Sequence, residues 1–392
     1  MRNRWPIVFV HGFGGWGRAQ LFGIPYFGLA KIGIFLGRVA NLDFGSKPRA
    51  LFPAVGPISS NHDRACELFY QLKGGDVRYG AEHSKEHGHR EVLENWVKGK
   101  FPIYPEWNEQ HPIHLVGQAQ GASTIRVLHH LLALGDFFFN SATGKPYPTN
   151  EKWVKSISSI SGLHSGTPTA YLLGGSTDNG CIQRGSAAAY LATTALILAR
   201  KQKPRDRIFR QPIYDFALDQ WTDDSKFVYG KDNAAYDLSI HGAQVLDYLE
   251  DYPCTYYFSY LTSLTMKDPT TSHFVPKPGM NPFFKYIGAE LGHFAENLDN
   301  LKYPITDFSA WWENDGLVPI YSQDYPKWHE GRSTARYVQD TSPKKGIWYV
   351  MDTLAMDHTN TVAFPRFTPT CRQQREQIVF YNKLYRLLAS LE

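Results

Sequence analysis

The sequence predicts an α/β fold in which a mostly parallel central sheet is flanked by helices. The apolar run from Ile113 to Val116 leads through the turn Gly117-Gln-Ala-Gln-Gly121 into an amphipathic helical pattern. A second β-branched run, Pro6 to Val10, ends in the glycine-rich loop His11-Gly-Phe-Gly-Gly15. Two buried strands that each end in a glycine-rich loop are typical of sheets whose strand ends carry the functional loops.

Composition excludes some classes of protein. The 392 residues carry a formal net charge of +4, and the basic residues are scattered, so no nucleic-acid surface is predicted. The longest apolar helical stretch, Ala187 to Ala199, is too short to span a bilayer. The first residues show no signal-peptide pattern, which fits a cytoplasmic protein or a mature secreted one.

The cysteines do not predict a metal site. They are Cys66, Cys181, Cys254 and Cys371, and no two of them form a Cys-x-x-Cys pair. One long-range disulfide and free thiols both remain open.

The turn at Gly117 to Gly121 has the form of a nucleophile elbow, a strained turn that presents one side chain above a parallel sheet. Glycine is needed where neighbouring backbone comes too close for a Cβ atom. The residue at the apex is Ala119, where serine is expected. A methyl group cannot attack a carbonyl carbon, so the sequence predicts the setting for acyl transfer without its nucleophile.

Three further features point to the same chemistry. The backbone N–H groups of Phe13 and Gln120 are predicted to form an oxyanion hole. Asp315 lies in an Asn-Asp-Gly turn, and His358 follows the apolar run from Ile347 to Met351. The order elbow, acid, histidine, with each predicted to lie on a loop after a strand, is that of the α/β-hydrolase fold, so we predict this fold with His358 as general base and Asp315 as its orienting acid.

Two segments are open to more than one interpretation. His83, His87 and His89 lie in one short glycine-containing stretch, which suggests a metal site, although the interleaved charged residues also suit a solvated loop. Residues 169–218 show no strand pattern and contain an amphipathic stretch. That stretch suits a mobile lid over an apolar pocket and suits a static cap helix equally well.

Over nearly its full length the sequence resembles the zinc-containing thermoalkalophilic triacylglycerol lipases of the Geobacillus and Staphylococcus type. The resemblance is carried by His11 to Arg18, Val55 to Glu67, Asp76 to His89, Tyr214 to Trp221, Ala235 to Ser239, Glu313 to Gly316, and Asp357-His358. It implies an extracellular carboxylic-ester hydrolase that acts on lipids through a Ser-His-Asp triad.

The resemblance also implies a metal and a domain organisation. Two aspartates and two histidines hold a structural zinc ion in the family, at positions that match Asp63, His83, His89 and Asp237, with His87 a bystander. The expected organisation is a single domain over residues 1–392, with a zinc-binding insertion at 60–100 and a helical cap at 167–250. The lid would correspond to residues 174–203, be mobile, and make transient contact with a lipid surface.

The chain departs from this family in several places. Ala119 replaces the serine, and Ala122 replaces the glycine usual after the elbow. Asn360 and Pro365 replace acidic calcium ligands, so calcium is not expected at that site. The insertion after Trp221 looks shorter, which leaves the acyl-chain preference open.

Two explanations of Ala119 compete. The alanine was introduced in place of serine to keep an ester uncleaved in the site, or the protein lost its nucleophile naturally and binds a lipid or a partner. Retention of Asp315, His358 and both oxyanion donors favours the first, because a binding protein has no need of them. An acyltransferase on the same fold is a third alternative, and the oligomeric state is not predicted.

Overall fold

The fold is described from a computed structural model, over residues 4–17, 20–40, 50–94, 97–201, 218–329, 331–339, 341–363 and 370–391. The strands are β1 (Ile7–Val10), β2 (Ala50–Leu51), β3 (Val77–Arg78), β4 (Val92–Leu93), β5 (Ile113–Gln118), β6 (Phe139–Asn140), β7 (Lys145–Pro146), β8 (Val154–Ile160), β9 (Tyr256–Tyr260), β10 (Thr265–Lys267), β11 (Phe274–Pro276), β12 (Thr334–Arg336) and β13 (Trp348–Val350).

The described helices are α1 (Ala30–Ala40), α2 (Asn61–Lys73), α3 (Ala81–His87), α4 (Val97–Lys100), α5 (Gln120–Ala133), α6 (Thr169–Leu172), α7 (Ala187–Lys201), α8 (Asp224–Tyr229), α9 (Ala234–Leu238), α10 (Ile240–Val245), α11 (Pro282–Leu291), α12 (Ile320–Gln323) and α13 (Cys371–Ala389). Short 3-10 helices cover Leu21–Gly23, Glu151–Trp153, Leu246–Tyr248 and Ser309–Trp311.

The central sheet has seven strands in the order β12-β13-β9-β8-β5-β1-β2. Every neighbouring pair in it runs parallel. The carboxyl ends of its strands therefore meet at one edge, where the loops after β1, β5 and β8 lie together. The predicted α/β-hydrolase architecture, a mostly parallel sheet flanked by helices, is confirmed.

Different helices cover the two faces of the sheet. Successive side chains of a strand point to opposite faces, so neighbouring residues of β1 belong to different cores. Val8 and Val10 belong to the hydrophobic core that contains residues of α2 and α5. Ile7 and Phe9 belong to the core that contains residues of α1 and α13. The sheet is thus buried on both sides, which suits its nearly continuous apolar strands.

The apolar stretch from Ala50 to Ile58 would suit a longer strand, but strand β2 covers only its first two residues and ends at Leu51. After this point side chains of α2 take the backbone hydrogen bonds that a neighbouring strand would need. The Ala54 N–H donates to Gln71 Oε1 (2.8 Å) and the Gly56 N–H donates to Glu67 Oε2 (2.6 Å). The segment is therefore a loop fixed to α2.

The four cysteines are free thiols in the structure, so the alternative of a long-range disulfide is wrong. Within the described ranges, no helix has the length and apolar character that a membrane crossing requires.

Both glycines at the turn between β5 and α5 are required because other backbone atoms lie too close to leave room for a Cβ atom. A Cβ on Gly117 would lie 2.4 Å from the carbonyl carbon of Gly121. A Cβ on Gly121 would lie 2.2 Å from the carbonyl oxygen of Val10, on the neighbouring strand β1. Since these contacts are to backbone, no side chain can move aside to relieve them.

We expect Gly121→Ala to lower the free energy of unfolding by about 2–4 kcal/mol, because the added methyl must push β1 and α5 apart. Chemical denaturation measures the change. Gly144→Ala is the matched control, since Gly144 has a φ of +65° but no atom within 4 Å of the point where a Cβ would lie, and should cost only about 1 kcal/mol. Equal losses in the two variants would contradict the close-approach argument.

Candidate active site

Ala119 occupies the apex of the turn in a strained backbone conformation. Its φ is 51° and its ψ is −122°, values that non-glycine residues rarely adopt. Its N–H donates to the carbonyl of Ile160 at the end of β8 (2.9 Å), which fixes the turn to the sheet. Strain of this kind at a strand-to-helix turn is typical of a nucleophile elbow.

The predicted base and acid lie in direct contact. Nδ1 of His358 is 2.8 Å from Oδ2 of Asp315, and both side chains are buried. The backbone N–H of His358 also donates to the carbonyl oxygen of Asp315 (2.9 Å). Two residues 43 positions apart in the chain are therefore held together by both their side chains and their backbone.

Other donors fix the Asp315 carboxylate in one orientation. They are the N–H groups of Leu317 (3.1 Å) and Val318 (2.8 Å) on Oδ1, and Thr262 Oγ1 (2.8 Å) and Gln323 Nε2 (3.2 Å) on Oδ2. Asp315 lies on a loop, as predicted, but the element before this loop is the 3-10 helix Ser309–Trp311 and not a sheet strand. Thr262 instead connects this loop to the end of β9.

The glycine-rich loop after β1 lies against the elbow. A Cβ on Gly12 would be only 2.9 Å from the Cβ of Ala119. Among the described residues, the backbone N–H groups of Phe13 and Gln120 have no protein acceptor. The Gln120 side chain turns the other way and donates to the carbonyl of Ser59 (3.0 Å). The two predicted oxyanion donors are thus brought to the same edge of the sheet as His358.

A second group of polar side chains could hold a metal ion. Asp63, His83, His89 and Asp232 each offer one ligand atom, and these atoms lie within 4.8 Å of one another. His83 Nε2 is 3.3 Å from Oδ1 of Asp63 and 3.3 Å from Oδ2 of Asp232, while His89 Nε2 is 3.2 Å from that same Asp232 oxygen and 4.0 Å from Asp63 Oδ1.

The chemistry of these atoms fits a metal. All four are buried and have no hydrogen-bond partner among the described residues, which is costly unless an ion satisfies them. Tetrahedral ligands at ordinary zinc–nitrogen and zinc–oxygen distances lie about 3.3 Å apart, close to the shorter spacings here. His89 Nδ1 is 2.9 Å from the carbonyl of Arg90, so the proton on Nδ1 leaves the Nε2 lone pair for an ion.

The structure places Asp232 in this group, and not Asp237, which the sequence predicted. Asp237 lies in α9, and its Oδ2 accepts a hydrogen bond from the N–H of Asn61 at the start of α2. Burial raises the pKa of Asp237 to about 8, and the negative charges of Asp232 and Asp63 act in the same direction. Asp237 is thus hydrogen-bonded to the start of α2, outside the group of four candidate ligands.

Sequence reasoning missed Asp232 because two aspartates five residues apart both precede α10. It also missed Thr262 and Gln323, which orient Asp315 from distant parts of the chain. His87 lies outside the metal group, as expected, although its ring is 4.6 Å from that of His83. Asn360, which stands where the family has an acidic calcium ligand, is buried two residues after His358. Pro365, the other such position, lies outside the described residues.

Comparison with known proteins identifies relatives of the chain. Residues 3–183 match a family model described as "Lipase-like, C-terminal domain". The chain is 26% identical to a lipase of Staphylococcus hyicus, with 92% of this chain and 54% of that protein covered. It is 29% identical to lipase 1 of Staphylococcus aureus, with 92% and 52% covered.

Solved structures agree with these sequence comparisons. Over its whole length the chain superposes on EstA from Clostridium botulinum with a TM-score of 0.74 at 29% identity, covering 88% of that chain. The Staphylococcus hyicus lipase gives 0.72 at 25% identity, with 98% of this chain and 97% of that one covered.

The chain is thus similar to bacterial lipases in sequence and in fold. It spans about half the length of the staphylococcal relatives that it matches in sequence. These likenesses support the resemblance drawn from sequence motifs, whereas the roles of single residues rest on the geometry above.

We expect Asp232→Asn to lose bound zinc, because an amide is a poor ligand, and Asp237→Asn to retain about one zinc per chain, because an amide oxygen can still accept the hydrogen bond from the Asn61 N–H. Metal analysis after zinc loading and dialysis measures the difference. Chelator should lower the melting temperature of Asp237→Asn but leave that of Asp232→Asn unchanged. If Asp237→Asn lost zinc and Asp232→Asn kept it, the ligand set predicted from sequence, which contains Asp237, would be supported instead.

Proposed function

We propose that the chain is a carboxylic-ester-binding protein of the lipase and esterase type, in which residue 119 is the nucleophile position. The observation that carries this proposal is the strained conformation of Ala119 beside the buried pair His358 and Asp315. As it stands, the site binds an ester without cleaving it. With serine at residue 119 it would be a hydrolase.

The proposed roles follow from the chemistry of ester cleavage. The N–H groups of Phe13 and Gln120 would stabilise the negative charge that develops on the ester carbonyl oxygen. His358 would remove a proton from the attacking hydroxyl, and Asp315 would keep the proton of the neutral ring on Nδ1 and stabilise the imidazolium. Because Ala119 has no hydroxyl, no acyl-enzyme forms and the sequence of steps stops at the bound ester.

We propose zinc as the metal of the second group, held by Asp63, His83, His89 and Asp232. When bound, zinc supplies a structural cross-link, since four protein ligands leave no position for a reactive water. These residues come from α2, from the stretch 83–89 and from the loop before α9, so they would join three separate parts of the chain. We therefore assign the insertion at residues 60–100 to scaffolding within a single domain, 1–392.

Within the helical cap proposed at residues 167–250, helix α7 exposes apolar side chains. Tyr190, Leu191, Ile197 and Leu198 of α7 are exposed, whereas Leu196 packs with Trp221 and Phe227. Residues 202 and 203 of the predicted lid lie outside the described residues. We propose that this helix is a mobile lid that contacts a lipid surface, and that the protein acts outside the cell.

A second candidate is a natural binding protein that has lost catalysis. The methyl group of Ala119 favours it, because that methyl packs in an apolar cluster with Leu163 and Val318. Such a surface would hold the acyl part of an ester or another lipid. The two candidates share the bound ligand and differ in what a serine at residue 119 would do.

We expect Ala119→Ser to raise the turnover of p-nitrophenyl esters by on the order of a million-fold, since removing the nucleophile of a triad costs about that factor. Ester hydrolysis is followed by absorbance, and a serine-directed phosphonate should label the variant once, as seen by mass spectrometry.

The control is the double variant Ala119→Ser with His358→Ala, which should be as slow as the Ala119 protein. A folded Ala119→Ser protein with neither turnover nor labelling would contradict the hydrolase proposal. Ester binding by that inactive protein would then favour the second candidate.

A further inference from the structure

Gln118 has no role in the chemistry described above, yet its side chain lies at the centre of the site. It is the last residue of β5, directly precedes Ala119, and is almost fully buried. Its amide contacts Tyr26, from the segment before α1, on one side and His358 on the other. Each donor and acceptor of a buried amide needs a hydrogen-bond partner, because an unsatisfied polar group in the interior is costly.

The hydrogen bonds on both sides fix the orientation of this amide. The hydroxyl of Tyr26 accepts from the N–H of Gly12 (3.3 Å) and donates to Oε1 of Gln118 (2.6 Å). Burial raises the pKa of Tyr26, so the hydroxyl keeps the proton that it donates. On the other side, Nε2 of Gln118 lies 3.3 Å from the carbonyl oxygen of His358, which can only accept.

The same Nε2 lies 3.3 Å from Nε2 of the His358 ring. Nδ1 of that ring faces the Asp315 carboxylate, which is an acceptor, so the ring proton is on Nδ1. The lone pair on the imidazole Nε2 is then the acceptor for the second amide hydrogen of Gln118. Each group in this series of hydrogen bonds, from the Gly12 N–H to the Asp315 carboxylate, therefore has a defined donor or acceptor role.

We propose that Gln118 is a positioning residue that holds His358 in its neutral, Nδ1-protonated form, with Tyr26 fixing the direction of the amide. The inference deepens the proposed function, because it concerns the nitrogen that would accept the proton of a nucleophile. An N–H aimed at Nε2 keeps the ring in the orientation in which Nδ1 faces Asp315.

The lengths of the two contacts matter for catalysis. At 3.3 Å the bonds from Gln118 are longer than an ordinary amide hydrogen bond, whereas a hydroxyl bonds to a ring nitrogen at a shorter distance. A serine at residue 119 can therefore compete for the Nε2 lone pair while the second bond, to the His358 carbonyl, still holds the loop. Gln118 would orient the base before the nucleophile engages it.

The test reads the His358 ring directly by ¹⁵N NMR of the Ala119 protein at pH 7, so it does not require turnover. In the parent protein we expect one protonated nitrogen, Nδ1, and one hydrogen-bonded acceptor nitrogen, Nε2. Gln118→Met keeps the length of the side chain but has no donor, so Nε2 should shift to the position of a free ring nitrogen.

Gln118→Glu should have the opposite effect. A carboxylate at this position accepts a hydrogen bond instead of donating one, so both nitrogens of His358 should become protonated. Tyr26→Phe should shift Nε2 in the same direction as Gln118→Met but by less, because the amide loses the partner that orients it. Tyr70→Phe is the matched control, since its hydroxyl bonds to the Phe139 carbonyl away from the elbow, and it should leave the ring unchanged.

A folded Gln118→Met protein with His358 signals identical to the parent would overturn the proposal. If that variant does not fold, unchanged signals in Tyr26→Phe and Gln118→Glu would overturn it in the same way. In the Ala119→Ser background, Gln118→Met should lower kcat about tenfold with KM within twofold, as expected when a base is less well oriented. The proposed function fails separately, if Ala119→Ser is inactive while these NMR shifts are observed.

Discussion

The buried guanidinium of Arg64 joins the three segments on which the candidate site depends. It donates to the carbonyl of His11 at the end of β1, to the carbonyl of Gly56 (2.7 Å) and to Oγ1 of Thr124 in α5 (3.0 Å). The glycine-rich loop and the elbow helix are therefore held against α2 by one fully buried cation. Removing this side chain would leave three acceptors on three different segments without their donor in the core, so it would destabilise all three segments.

The same turn of α2 carries the start of the metal group. Asp63 directly precedes Arg64, and Thr124 donates to Oδ1 of Asn61 (3.0 Å). The side chain of Gln120, whose backbone N–H is a proposed oxyanion donor, reaches the carbonyl of Ser59 (3.0 Å). The start of α2 and the residue Ser59 just before it therefore contact the elbow helix, while Asp63 of the same helix belongs to the candidate metal group.

Sequence patterns predicted what depends on local order. The elbow, the glycine-rich loop and the order of Asp315 and His358 are encoded by neighbouring residues, and the structure brings these residues to one edge of the sheet. The fourth metal-group residue could not be found this way, because Asp232 and Asp237 have similar surroundings in sequence and differ only in which side chain faces His83. The roles of Arg64 and Gln118 likewise arise from contacts between residues far apart in the chain, which no motif records.

The packing of α1 on α13 has a consequence for how the protein is made. Gly33 and Gly37 let α1 approach Tyr381 and Tyr385, so one face of the sheet is covered jointly by an early helix and a late one. While the chain emerges from a ribosome, β1 and β5 can pair well before α13 exists, which leaves Ile7 and Phe9 on an uncovered apolar face. Since α13 follows both strands in the sequence, that face stays uncovered until α13 is synthesised and packs against α1.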